Sequence, residues 1–188
     1  RINRKISMPR IKIIDLITEA EAAPIKLGMT LNKFAMHVQP PSAWTFPWTT
    51  TFPASIEYGD LLITLDIDDG IVRSVGMRVE LWDTAVPGEG DPYPVARTKA
   101  VWGRKLSVDL EGFCGGQAIE EVACILDLRG ITHALHDGID FSHIGKRLIA
   151  NKNTAFNFYC HNGRPWLMGI EVLHPLHPFW PLPQASAS

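Results

Sequence analysis

Cysteine is scarce in this chain, and its few cysteines do not form a recognisable framework. Cys114, Cys124 and Cys160 are an odd number, and their spacing is not that of a metal site. The sequence therefore argues against a disulfide-stapled fold and favours a reducing compartment, inside a cell or in a virion. Long apolar runs are missing as well. Because none approaches the roughly 18–20 residues needed to cross a bilayer, we predict no transmembrane helix.

Charge is also sparse. Only 20% of the 188 residues are charged and the formal net charge is -2, whereas 46% of the residues are hydrophobic. Such a chain is too apolar to be disordered, and its body is not basic enough to act as a nucleic-acid binder. The length fits one domain with a self-sufficient core.

The sequence predicts no metal site and no cofactor. His133 and His136 form one H-x-x-H pair, and His174 and His177 form another. Neither pair stands beside a cysteine pair at zinc-finger spacing. We interpret these histidines as ordinary turn and surface residues.

Two stretches of alternating sequence predict β-hairpins. In one, such runs flank Asp68-Asp69-Gly70, and in the other they flank Asn162-Gly163. Side chains on a strand point to opposite faces with period two, and Asp-Gly or Asn-Gly between two such runs favours a tight turn. We expect these residues of the hairpins to be largely buried: Ile63, Leu65, Ile67, Met77, Val79, Leu81, Phe156, Phe158, Trp166 and Ile170.

The rest of the chain repeats this pattern and indicates about eight strands with few helices. We predict an all-β fold, either an antiparallel β-sandwich or a jelly-roll-like barrel, with one or two short helices and extended terminal arms. A closed two-barrel arrangement is the alternative. A helix is expected over 11–22, unless that segment begins as a strand, and a short helix over 141–150. Residues 31–38 are expected to form a strand, and 117–128 a strand or, alternatively, a helix.

Positive charge is concentrated in the first residues of the chain. Residues 1–12 contain no acid and the following bases: Arg1, Arg4, Lys5, Arg10 and Lys12. A basic arm of this kind can bind nucleic acid, an anionic membrane or an acidic neighbouring subunit. We therefore divide the chain into a basic N-terminal arm with a short helix (1–30), a β-sandwich body (31–173) and a proline-rich C-terminal tail (174–188).

Two segments, 40–53 and 174–182, are rich in both proline and aromatic residues. Proline removes a backbone donor and cannot join a central strand, and such apolar segments are unfavourable in water. They are expected to pack on the protein's own sheet or in grooves between subunits.

Residues 112–116 read Gly-Phe-Cys-Gly-Gly and form the sharpest chemical motif in the chain. The motif resembles the nucleophile loop of picornavirus-type cysteine proteases with a chymotrypsin fold. In such a loop, glycines permit a strained turn and backbone N–H groups form the oxyanion hole.

Three other segments are similar to parts of the same family. Those around His37 and Asp60 resemble the segments that carry the general base and the orienting acid, and 130–134 resembles the strand whose histidine, here His133, lines the substrate pocket. The resemblance implies that Cys114 is the nucleophile, His37 the base that lowers the effective pKa of its thiol, and Asp60 the orienting group.

Function is predicted from the charge asymmetry and the two apolar, proline-rich segments. These features favour a non-enzymatic structural subunit of a larger homo-oligomeric assembly, above all a viral capsid or matrix protein. Its partners would be copies of itself, with nucleic acid or an anionic membrane as further partners of the basic arm. No small-molecule substrate is expected. The alternative function is the cysteine endopeptidase that the resemblance implies.

Overall fold

A computed structural model describes residues 10–37, 54–58, 61–83, 93–102, 106–138, 144–161 and 163–182. Its helices are α1 (Ile13–Glu19), α2 (Leu31–His37) and α3 (Ile119–Asp127). Its strands are β1 (Arg10–Lys12), β2 (Glu21–Ala22), β3 (Ile25–Lys26), β4 (Ala54–Tyr58), β5 (Leu61–Asp68), β6 (Ile71–Glu80), β7 (Trp82–Asp83), β8 (Tyr93–Pro94), β9 (Lys99–Trp102), β10 (Leu106–Asp109), β11 (His133–Asp137), β12 (Ile144–Ala150), β13 (Thr154–His161) and β14 (Arg164–Leu173).

The fold is organised around one large antiparallel sheet, with the strand order β11-β12-β13-β14-β6-β5-β4. A smaller sheet has the order β1-β10-β9, in which β1 and β10 run parallel. The prediction of a mostly β, sandwich-like protein with few helices is confirmed. None of the described helices is long and apolar enough to cross a bilayer.

Both predicted hairpins are present. Strands β5 and β6 pair as far as Asp68 and Ile71, and Asp69 and Gly70 between them both have positive φ angles, of 49° and 71°. Positive φ at both central residues is what a type I′ turn requires, and this turn matches the twist of the flanking strands. Strands β13 and β14 pair as far as His161 and Arg164.

The core lies against one face of the large sheet, which we call the inner face; the opposite face is the outer face. Helices α1 and α3, strand β10 and Phe113 complete the core on the other side. The residues predicted to be buried are buried, except Ile67 and Trp166. Ile67 is 48% exposed because it lies at the tip of the first hairpin, beyond the core, and Trp166 belongs to the outer face.

The N-terminal segment contains the predicted helix and also its alternative, an initial strand. Strand β1 leads directly into α1, and Ile13, Leu16 and Ile17 of this helix are fully buried in the core. The α1 segment is therefore part of the same core as the sheet.

Three other segment predictions can be compared with the structure. Residues 31–37 form helix α2 rather than a strand, with Phe34 as the buried side chain of the helix. Residues 144–150 form strand β12 rather than a helix, because this segment pairs with strands on both sides. For 117–128 the alternative was correct: α3 has Val122 and Leu126 buried four residues apart, on one helical face.

Part of the segment 174–182 packs on the protein's own sheet, which was one of the two expected positions for it. Leu182 is buried on the outer face together with Ile149, Ala155 and Leu173. The other proline-rich segment, 40–53, lies outside the described residues.

Candidate functional site

Cys114 lies in the loop between β10 and α3. The loop passes very close to neighbouring backbone, because a Cβ on Gly115 would collide with the carbonyl oxygens of Leu81 and Val95. Gly116 has a φ of 87°, in the region that favours glycine. Glycine is therefore required at 115 and 116 by packing and by backbone conformation.

The backbone donors of Cys114 and Gly116 in this loop are already engaged. The Cys114 N–H donates to Oε1 of Gln117 at 2.9 Å, and Nε2 of Gln117 donates to the Gly112 carbonyl at 2.8 Å. The Gly116 N–H donates to the Leu167 carbonyl at 2.9 Å. An oxyanion hole needs N–H groups that are free to bind the reacting oxygen. This hydrogen bonding favours a structural turn.

The thiol of Cys114 is in an environment that disfavours the thiolate. Burial raises its pKa, and the carboxylate of Glu121 raises it further. A cysteine nucleophile needs the opposite shift, because the thiolate is the reactive form.

Of the other two residues of the implied triad, only His37 is described by the structure. His37 ends helix α2, and Asp60 lies outside the described residues. Thr30, just before α2, pairs with Arg73 near the start of β6, whereas the Cys114 loop packs against Leu81, after the end of that strand. In an extended strand, the residues from Arg73 to Leu81 span about 26 Å. Among the described residues, no hydrogen bond or ion pair joins His37 to Cys114.

The predicted basic arm falls partly within the described chain. Arg10 and Lys12 belong to β1, and the guanidinium of Arg10 forms an ion pair of 2.7 Å with Asp109 on the neighbouring strand. Arg1, Arg4 and Lys5 lie outside the described residues. Arg10 is thus engaged by its own chain, and its side chain is still 61% exposed.

The paired histidines have local partners, and the interpretation as surface residues is wrong for His177, which is buried because it packs over Gly76 of the sheet. The Nε2 atom of His133 lies 3.0 Å from Oδ1 of Asp127, and the Nδ1 atoms of His174 and His177 accept the N–H groups of Leu176 and Phe179. No group of three or more potential metal ligands occurs within the described ranges.

Strand β11 forms an edge of the large sheet, and its hydrogen bonds show which of its backbone groups point outward. The N–H of Asn151 donates to the Thr132 carbonyl, and the N–H of Gly138 donates to the Gly145 carbonyl. In an antiparallel pair, hydrogen-bonded positions alternate with positions whose N–H and C=O point away from the partner strand. Therefore Ala134 and His136 bond to β12, whereas the backbone groups of His133, Leu135 and Asp137 point away from the sheet.

Apolar side chains are exposed beside this edge. Leu135 is 52% exposed at the centre of β11, although it pairs with the buried Leu148 of β12. Leu128, just after α3, is 80% exposed, and the contact between Asp127 and His133 holds this end of the helix next to β11. The edge therefore combines apolar surface with outward-pointing backbone groups that have no partner among the described residues.

The edge also carries balanced charge. Nζ of Lys146 on β12 lies 2.7 Å from Oδ1 of Asp137. This hydrogen bond lowers the pKa of Asp137 and raises the pKa of Lys146. Both side chains are well exposed, so the pair contributes little to stability. The pair places one positive and one negative charge next to each other at this end of β11.

The importance of this edge was missed in the sequence. The sequence predicts a helix over 141–150, so β12 is not expected from it. The alternation of Arg147 and Ile149 with Leu148 and Ala150 is the signal that could have revealed β12. Which strand lies at the edge depends on the order of all strands, and no local pattern contains that order.

Comparison of the chain with protein families, with curated proteins and with solved structures finds no match.

Proposed function

We propose that this chain is a non-enzymatic structural subunit that pairs with a second copy of itself through strand β11. The observation that carries the proposal is the row of outward-facing backbone groups on His133, Leu135 and Asp137, beside the exposed Leu135 side chain. An edge strand of this kind is a template for another strand, which satisfies the backbone groups by extending the sheet.

A second copy fits this edge in an antiparallel register centred on Leu135. Leu135 then faces Leu135 of the second copy, and His133 faces Asp137 of the second copy. All the paired positions are those whose N–H and C=O point outward, so about six backbone hydrogen bonds can form. The arrangement has two-fold symmetry, which closes the contact as a dimer.

Side-chain chemistry supports the same register. His133, Leu135 and Asp137 share one face of β11, so the two leucines would bury each other at the centre of the contact. The carboxylate of Asp137 would lie beside the imidazole of His133 on the second copy.

Dimers of this kind would be the building blocks of a larger homo-oligomeric assembly, and a viral capsid or matrix layer is the class that the sequence favours. The bases within 1–12 would contact an acidic neighbour, nucleic acid or anionic lipid. The engaged backbone donors around Cys114 and its raised pKa argue against the alternative of a cysteine endopeptidase.

The test is the association state of the full chain, measured by sedimentation equilibrium over a wide range of concentrations. Leu135→Pro removes an outward N–H without removing a bond to β12, and Leu135→Lys places a charge at the centre of the contact. We expect each variant to raise the dimer dissociation constant by at least about tenfold, since the contact loses hydrogen bonds or buries a charge.

Ile67→Lys is the matched control. Ile67 is exposed to a similar extent as Leu135, at 48% against 52%, but it lies at the tip of the first hairpin. This variant should dimerise like the unmodified chain. A chain that stays monomeric at the highest concentration, or a dimer that Leu135→Lys leaves intact, would show the proposal to be wrong.

A further inference from the structure

A band of polar side chains crosses the outer face of the large sheet, opposite the core. The pairing register brings its members together on neighbouring strands. We call the following residues the outer-face band: His136, Arg147, Asn157, Glu171, Arg78 and Glu80. Its two arginines and two glutamates are largely covered, since their side chains are between 13% and 24% exposed.

The band contains buried side-chain nitrogens that have no hydrogen-bond partner within the described part of the chain. Among the described residues, three buried side-chain nitrogens lack a hydrogen-bond partner, and all three belong to the band: Arg78 Nε, His136 Nε2 and Asn157 Nδ2. Asn157 is fully buried. Buried polar groups are almost always paired, so three unpaired nitrogens in one band point to a bound group that supplies acceptors.

The guanidinium groups of the band are only loosely paired. Arg147 donates from Nε to Oδ1 of Asn157 at 3.2 Å, but its distance to the carboxylate of Glu171 is 3.7 Å. Burial lowers the pKa of Arg147, whereas Glu171 raises it and Arg78 lowers it. Arg147 is therefore a partly desolvated cation close to a second cation.

Arg78 is paired with Glu80, because its Nη2 donates to Oε2 of Glu80 at 3.4 Å. Its Nε lies 2.9 Å from Oε1 of Glu80, yet the Nε–H makes no hydrogen bond to that oxygen or to any other atom of the described residues. The indole N–H of Trp82 donates to the same carboxylate. An acceptor placed over the sheet could therefore take the Arg78 Nε–H without displacing Glu80 from Trp82.

The middle of the band has no side chain. Gly169 lies between Asn157 and Glu80 in the register, and a Cβ there would be 3.1 Å from the Val79 carbonyl and 3.7 Å from Nε of Arg78. The same Cβ would be 3.9 Å from Oε2 of Glu80. Glycine at this position therefore leaves the Arg78–Glu80 pair free of a side chain from β14.

An aromatic row runs beside the band on the same face. The rings of Tyr159 and Trp166 meet edge to face with centroids 5.2 Å apart, and Trp82 packs against the same cluster. Trp82 and Trp166 are only half-buried. The site thus has cationic and amide donors on one side and apolar ring surface on the other.

We propose that the outer-face band binds the carboxylate of a small organic acid, whose apolar part lies on the aromatic row. A carboxylate is planar and can accept from Arg147, Asn157 and Arg78 together. Glu80 and Glu171 favour a single negative charge over a doubly charged phosphate, because each carboxylate repels an anion. This site is on the outer face and does not depend on dimer formation through β11.

The test uses the full chain and two probes of nearly equal shape, benzoate and the neutral benzamide, with titration calorimetry and thermal unfolding as readouts. Benzoate should bind saturably and raise the unfolding temperature, and benzamide should bind at least about tenfold more weakly because it lacks the charge. Inorganic phosphate should also bind more weakly than benzoate.

Asn157→Asp replaces the unpaired amide donor by a carboxylate oxygen and should weaken benzoate binding by at least about tenfold. Gly169→Ala places a methyl group against the Arg78–Glu80 pair and should weaken benzoate binding as well, which keeps the test valid if Asn157→Asp does not fold. Arg164→Lys changes an exposed arginine at the start of β14 and should leave binding unchanged. Equal binding of benzoate and benzamide, no saturable binding of benzoate, or an equal loss in Arg164→Lys would each overturn the proposal.

Discussion

His177 lies directly over Gly76 on the outer face of the large sheet: a Cβ at position 76 would be 3.2 Å from Cδ2 of the imidazole. His177 is only 5% exposed, and its Nδ1 accepts the N–H of Phe179 at 3.1 Å. The contact fixes the segment 174–182 on the sheet, and it requires the unprotonated Nδ1.

We expect this contact to make stability depend on pH. Burial lowers the pKa of His177, although Glu171 and Asp66 raise it. As the pH falls below 6.5, the ordinary pKa of histidine, the unfolded chain therefore binds a proton at this imidazole before the folded chain does. The stabilisation is complete above about pH 6.5 and decreases as the pH falls through the lower pKa of the folded state. Urea unfolding between pH 8 and pH 5 should show this decrease. His177→Gln should flatten the curve, and an unchanged curve would contradict the assignment.

The core contribution of the second hairpin can be measured with one substitution. Phe158→Ala should lower the free energy of unfolding by roughly 3–5 kcal/mol, because the fully buried ring leaves a cavity. Phe179→Ala is the control, since that ring is 72% exposed and its loss should change the free energy by less than about 0.5 kcal/mol. Equal effects of the two substitutions in chemical denaturation would mean that the inner face has been wrongly assigned.

Cys114 should react slowly with alkylating reagents at neutral pH. Burial and Glu121 raise the pKa of its thiol, so the fraction of thiolate should grow only at alkaline pH. Mass spectrometry of peptides after timed alkylation at several pH values separates Cys114 from the exposed Cys124 and Cys160. Rapid modification of Cys114 below neutral pH would favour the endopeptidase alternative instead.

Two truncations separate the body from the basic residues that precede it. A chain beginning at residue 13 lacks β1 and the buried Ile11, so it should lose roughly 1.5–3 kcal/mol of stability. A chain beginning at residue 10 keeps β1 and should be as stable as the full chain. If Arg1, Arg4 and Lys5 take part in assembly, this shorter truncation should weaken association most at low salt, where charge is least screened. Association that is independent of both salt and truncation would show that the basic arm takes no part in assembly.

Sequence patterns predicted the local features of this fold. The Asp69-Gly70 turn was predictable because its backbone conformation depends on residues that are adjacent in the chain. The helix over 13–19 was predictable from the spacing of its buried isoleucines and leucine. Residues 31–37 were mistaken for a strand because this short helix has a single buried side chain, Phe34, and so shows little of the helical period.

The candidate sites could not be predicted in the same way. Arg147, Asn157 and Glu171 look like solvent-facing positions of alternating strands, and only the register across β12, β13 and β14 places them together over the same part of the sheet. The edge position of β11 likewise follows from the strand order. The band is completed only where β14 pairs with β6, which lies far earlier in the chain, and composition and periodicity do not encode that pairing.

The N-terminal segment finds its partners far along the chain, and this has a consequence for folding. The Ile14 N–H donates to Glu111, 97 residues later, and the Asn153 side chain donates to the Ile17 carbonyl, 136 residues earlier. Contacts between such distant residues close large loops and slow folding. During synthesis, helix α1 can reach its buried position only after β13 has begun to emerge from the ribosome, so its apolar face stays exposed to chaperones for most of translation.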